Sequence, residues 1–123
     1  MGKWWVIGAA MAGLAVALGA FGAHGLKDRV EADLLQIYET GARYHMYHAF
    51  GLILVAVASK WAPGGATNAA GWCFLAGIIL FSGSLYTMTL TGHRWLGAVT
   101  PLGGLAFISG WALLAWAGLK SQG

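Results

Sequence analysis

The sequence predicts an all-α integral membrane protein, a four-helix bundle with a short amphipathic interfacial helix between spans 1 and 2. Three observations carry that expectation. Apolar side chains make up 59% of the 123 residues and charged ones 9%, with a mean hydropathy of +0.68, whereas a water-soluble globule carries about 25% charge. Four apolar stretches, near residues 4–25, 44–61, 69–90 and 96–119, approach or exceed the roughly 20 residues that cross a hydrocarbon core of about 30 Å. The ionisable residues fall outside or at the ends of those stretches, and all 4 acidic residues lie between Asp28 and Glu39. Residues 1–123 read as a single domain with spans at those bounds.

The first stretch, Trp4 to Gly25, follows Lys3 and exceeds the apolar run of about 7 to 15 residues in a cleaved signal sequence, so it reads as a span. Small residues recur on it every four positions, as Ala9, Gly13 and Ala17 and again as Ala15, Gly19 and Ala23. In lipid such ladders let helix backbones approach closely. The connection from Leu26 to Arg43 has Asp28 and Glu31 at the spacing of a capping box, followed by Val30, Leu34, Ile37 and Tyr38 at helical spacing. That pattern predicts the interfacial helix, with Gly41 as its bend into the second span and one continuous helix as the alternative.

The second stretch, Tyr44 to Trp61, ends in the Lys60–Asn68 loop, and the third, Ala69 to Leu90, carries a ladder of Ala69, Cys73 and Gly77. The single Cys73 forms no intrachain disulfide and reads as a small packing residue. A turn at Thr91–Trp95 leads to the fourth stretch, Leu96 to Leu119, where Thr100 is positioned to cap a helix with Pro101 in its first turn and Ala106 pairs with Gly110.

Four spans put both termini and the Lys60–Asn68 loop on one side, marked by Lys3, Lys60 and Lys120 and by a belt of Trp4, Trp5, Trp61, Trp72 and Trp116. The opposite side holds Tyr38, Tyr44, Tyr47 and Tyr86 with Lys27, Arg29, Arg43 and Arg94. The basic residues balance so nearly that they assign no orientation. Seven Lys and Arg dispersed over short loops form no basic stripe, which excludes nucleic acid as a partner class and leaves the lipid bilayer.

Polar chemistry concentrates on that opposite side. His45 and His48, three residues apart in Tyr44-His45-Met46-Tyr47-His48, share a helix face, and His24 ends the first span at the same level. Imidazoles so grouped suit a metal, a haem or a proton relay; the alternative is hydrogen bonding to backbone carbonyls and tyrosine hydroxyls. Further polar candidates are Glu39 and Arg43, in the favourable acid-then-base order, Tyr44, Tyr47, Ser82, Ser84, Tyr86 and Thr100. No acid accompanies Ser82 or Ser84 in the third stretch, so a serine nucleophile is not indicated.

Five blocks, Gly19-Ala20-Phe21-Gly22-Ala23-His24-Gly25-Leu26, Tyr44 to Ala49, Phe81-Ser82-Gly83-Ser84-Leu85-Tyr86, Thr100-Pro101-Leu102-Gly103-Gly104 and Gly110-Trp111, resemble the signature blocks of the transmembrane protein 256 family. The resemblance runs in order along essentially the whole chain. It implies a four-helix integral protein of a bacterial inner membrane and supplies no reaction, cofactor or catalytic residue. The expected role is a self-associating binding or assembly component, rather than an enzyme. The alternatives are a metal- or haem-handling protein built on His24, His45 and His48, and a small-solute transporter, which the scarcity of midplane charge disfavours.

Overall fold

The computed structural model describes residues 2–122, so Met1 and Gly123 lie outside it. The chain is all helical, with four long helices among the described residues. The first, α1 (Gly2–Phe21), continues through a π-type segment at Gly22–Leu26. A turn follows, in which the N–H groups of Arg29 and Val30 bond the Leu26 carbonyl. Next come α2 (Ala32–Trp61) and a composite helix made of α3 (Gly65–Gly77), a π-type segment at Ile78–Ser82 and α4 (Gly83–Thr91). A 3₁₀ turn at Arg94–Ala98 leads into α5 (Thr100–Gln122). Three of the long helices, Gly2–Leu26, Gly65–Thr91 and Arg94–Gln122, are long and apolar enough to cross a membrane.

α2 and the α3–α4 helix form the centre, with α1 packed on α2 and α5 packed on α3. Leu52, Val55, Ala56, Ala70, Phe74 and Phe107 make the core together with Trp4. Glycine sets the interhelical distances: a Cβ on Gly110 would stand 2.6 Å from Phe74, and one on Gly103 would meet the Phe81 backbone. Close approach of this kind is how helices gain packing energy where no hydrophobic effect drives them together.

The separate interfacial helix is not formed. The stretch from Ala32 is helical, but it runs without interruption through Gly41 to Trp61. Gly41 is a contact point, not a bend: a Cβ there would lie 3.2 Å from Leu85 and 3.3 Å from Tyr86. The capping box is also absent. Glu31 occupies the cap position with extended backbone and makes no capping bond, and its carboxylate instead lies 3.5 Å from Arg94.

Trp4 leaves the aromatic belt for the interior. It is 1% exposed, because Gly71 leaves room for the indole, and its Nε1–H donates to Asn68 Oδ1 at 3.1 Å. Trp5, Trp61, Trp72 and Trp116 remain outward. Thr100 is the first residue of α5 rather than its cap, and its hydroxyl lies 2.6 Å from that of Ser84.

Candidate functional site

The polar interior is built on one face of α2. Positions 41, 45, 48 and 52 recur at intervals of three and four, and all four are buried. His48 meets α5 there. Its ring stacks on Phe107 with centroids 3.5 Å apart and planes 6° from parallel. Trp111 Nε1 lies 3.0 Å from His48 Nε2, and His48 Nδ1 lies 2.8 Å from the Tyr44 carbonyl. An indole N–H can only donate, so Nε2 accepts. A carbonyl can only accept, so Nδ1 carries the proton. The neighbours therefore define one neutral tautomer of His48, with both nitrogens satisfied.

His45, 1% exposed, faces the other way, toward α4 and α1. Its Nδ1 is 2.8 Å from the Tyr86 hydroxyl. Its Nε2 is buried and, among the described residues, has no hydrogen-bond partner. Tyr86 in turn packs on Tyr38, ring centroids 5.0 Å apart. The Tyr38 hydroxyl donates to the Leu18 carbonyl at 2.7 Å, one turn before the π-type segment of the first helix. Gly22 admits that tyrosine, since a Cβ there would lie 2.6 Å from its ring.

Hydroxyl groups join the helices around this pair. Ser82 donates to the Gly41 carbonyl at 2.7 Å, across the α2 contact that Gly41 creates. Thr89 reaches the Leu34 carbonyl at 3.0 Å while also bonding Leu85 at 2.9 Å, one turn back. Ser84 donates to Phe81 at 2.9 Å and meets Thr100 of α5. Thr87 and Thr91 serve their own helix, bonding Gly83 and Thr87. The π-type segment at Ile78–Ser82 lies beside the cluster, and such segments recur at functional sites in helices.

Other candidates stand apart. His24 is exposed at the end of the first helix, and among the described residues no three His, Cys, Asp or Glu side chains are gathered to hold one ion. Glu39 and Arg43 are exposed on α2, as are Tyr44 and Tyr47, whose rings pack on each other at 5.5 Å. Arg94, rather than Arg43, pairs with the acids: its guanidinium lies 3.0 Å from Asp33 and 3.5 Å from Glu31. That guanidinium holds the Asp33 carboxyl below its ordinary pKa of 3.8. Phe107 and Trp111 were not among the candidates. The signals available for Trp111 were its place in the Gly110-Trp111 block and an indole within an apolar stretch, whose N–H needs an acceptor.

Residues 18–104 match the family model described as a protein of unknown function (DUF423). The chain is 52% identical over 116 residues to the UPF0382 membrane protein YwdK of Bacillus subtilis (strain 168), covering 94% of each. It is 46% identical over 122 residues to a UPF0382 membrane protein of Staphylococcus epidermidis, covering 96% of each, and 43% identical to one of Staphylococcus haemolyticus over the same share. No solved structure matches it. A match over most of the chain, together with relatives aligned nearly end to end, makes this protein a member of the DUF423 family of membrane proteins.

Proposed function

We propose that the chain is a multi-pass protein of a bacterial inner membrane, one domain with all four long helices crossing, that acts as a self-associating assembly or binding component and not as an enzyme. The polar face of α2 lowers its apolarity, but Gly41, His45, His48 and Leu52 turn inward toward neighbouring helices. Only the remainder of the helix meets lipid, so the same rule that buries polar residues in membrane bundles makes α2 the central span. The chain's resemblance to the transmembrane protein 256 family supports the same reading.

One observation carries the self-association. Ala9, Gly13 and Ala17 of α1 are exposed, and a Cβ on Gly13 would meet nothing within 4 Å. By contrast, Gly77 in the third-stretch ladder is buried against Phe107 within the chain. The outward ladder on α1 is thus free to meet a second copy, as small residues do between helices in lipid.

A second reading, ligation of a metal or haem by His24, His45 and His48, draws support from His45 alone, whose buried Nε2 has no hydrogen-bond partner among the described residues, since His48 has both nitrogens bonded and His24 is exposed. Light scattering on the detergent-purified protein, with absorption and metal content read on the same sample, tests both. Self-association predicts a mass above one chain that falls to one chain in Gly13→Leu with helical content retained; an unchanged mass rejects the α1 interface. A stoichiometric metal or a Soret band lost in His45→Ala would favour the second reading.

A further inference from the structure

At the end of the molecule that holds both termini, two cavities adjoin between α2 and α5. One, of about 230 Å³, opens among Trp61, Gly64, Thr67, Ala117, Lys120 and Ser121. The other, of about 170 Å³, lies deeper along the helices, between Leu54, Val57, Leu114 and Gly118. Trp61, Ala62 and Ala117 line both, so the two form one continuous groove. The groove exists because the backbones of α2 and α5 scarcely approach each other, each being packed on α3 instead. Gly118 keeps it open: a Cβ there would meet only the rim of Trp61, at 3.9 Å.

The two halves differ in chemistry. The deep half is walled by aliphatic side chains and the Trp61 ring. The outer half presents the Lys120 ammonium and the backbone of Gly64 and Gly65, while the hydroxyls of Thr67 and Ser121 donate to the Ala62 and Gly118 carbonyls. Among the described residues Lys120 makes no ion pair. Every acidic residue of the chain lies between Asp28 and Glu39, at the opposite end. Lys3 and Lys60 share the Lys120 end, and Lys3 lies over the rings of Trp4 and Trp72. The charged side chains at this end are therefore all basic. An indole at the boundary and a lysine above it mark the level of the lipid headgroups.

We infer that this groove binds one anionic phospholipid, its phosphate held at Lys120 beside the Gly64–Thr67 backbone and the start of one acyl chain seated between α2 and α5 along Leu54, Val57 and Gly118. A free anion would use the outer half alone and leave the apolar half unexplained. A second copy of the chain would meet the groove with the same excess of positive charge. An anionic amphiphile matches both halves at once.

Native mass spectrometry of the detergent-purified full chain, titrated with phosphatidylglycerol or with phosphatidylcholine of identical acyl chains, tests the inference. The wild type should retain one phosphatidylglycerol at concentrations where phosphatidylcholine is not retained. Removing one lysine charge near a membrane surface weakens anionic lipid binding roughly fivefold. Lys120→Gln should lose about that factor, while Lys3→Gln on the same side should lose little. Gly118→Leu, which fills the apolar half, should weaken binding of both lipids. Lys120 is exposed in the last turn of α5, so its variant tests the site even if Gly118→Leu perturbs folding. Equal retention of the two lipids, equal losses in Lys120→Gln and Lys3→Gln, displacement of lipid by excess inorganic phosphate, or a second protein chain in place of the lipid would each overturn the assignment.

Discussion

The two ends of this protein are held together by different physics. At the end holding Asp28–Glu39 and the turn after α4, helices are joined across their boundaries by directional bonds: Ser82 to Gly41, Thr89 to Leu34, Tyr38 to Leu18, His45 to Tyr86 and Arg94 to Asp33. Among the described residues, the polar contacts between helices at the end holding both termini are Trp4 to Asn68 and the Thr67 hydroxyl to the Ala62 carbonyl that ends α2. There cohesion comes from shape, with an indole seated over Gly71, and α2 and α5 part to leave the groove. The difference teaches that hydrogen bonds fix register at one end while packing fixes distance at the other. Interhelical hydrogen bonds in membranes contribute about 0.6 kcal/mol on average, so the packed end should respond more strongly to substitution.

The largest expected effect follows from that contrast. In Gly71→Leu the new side chain overlaps the Trp4 ring, and overpacking of a close core costs about 1–3 kcal/mol, occasionally more. The helix should either part from α1 or unseat Trp4 and break its bond to Asn68. Thermal unfolding followed by tryptophan fluorescence should show a large loss of stability and a wetter Trp4. A change no larger than that of Gly13→Leu, where the space is open, would break the comparison.

A smaller effect is expected at the histidines. Trp111→Phe removes the donor to His48 Nε2 and leaves a buried acceptor unpaired, which costs about 1–3 kcal/mol in a dry interior. His48→Phe removes both partners' needs except that of the Trp111 indole. The double variant should therefore lose less than the sum of the two single variants, by the coupling of one hydrogen bond. Additive losses would mean that the Trp111–His48 contact contributes only packing.

The smallest effect is electrostatic. Arg94 lowers the pKa of Asp33 from 3.8 in the fold, so the folded state favours the carboxylate. The stability this contributes is present above pH 3.8 and is lost as the pH falls through the lowered value. Both partners are exposed, and water and salt screen the pair. Asp33→Asn should remove a slight acid-side slope in the unfolding temperature and leave stability near neutrality almost unchanged. A slope as steep as before would assign the acid sensitivity to other groups.

Part of the polar cluster was legible in the sequence. Helical spacing puts His45 and His48 on adjoining positions of the buried side of α2, but their rings diverge, His45 toward Tyr86 of α4 and His48 toward Trp111 of α5, while the hydroxyls of Ser82, Ser84 and Tyr86 lie toward one end as span lengths suggest. The separate interfacial helix was not obtained, because amphipathic periodicity continues unbroken across Gly41 and a glycine reads the same whether it bends a helix or admits a neighbour. Trp4 was assigned to the belt for a similar reason: an indole near a span end suits either a headgroup or a cavity over glycine, and only Gly71, 67 positions away, decides between them. Trp111 went unrecognised as the partner of His48 because nothing local to α5 specifies its rotation about its own axis.

The sequence by itself determined that this chain is helical and apolar enough for a membrane, and that its acids collect toward one end. Those properties follow from transfer free energies and helical periodicity, which act on each stretch independently of the others. Only the tertiary structure decided which ring nitrogen of His48 is protonated, that His45 Nε2 stands without a partner, and that α2 and α5 part to open a groove beneath Lys120. Each of these depends on the approach distance and rotation of two helices set by glycines and aromatic rings far apart in the chain, and such pairwise fit is not written in either helix alone.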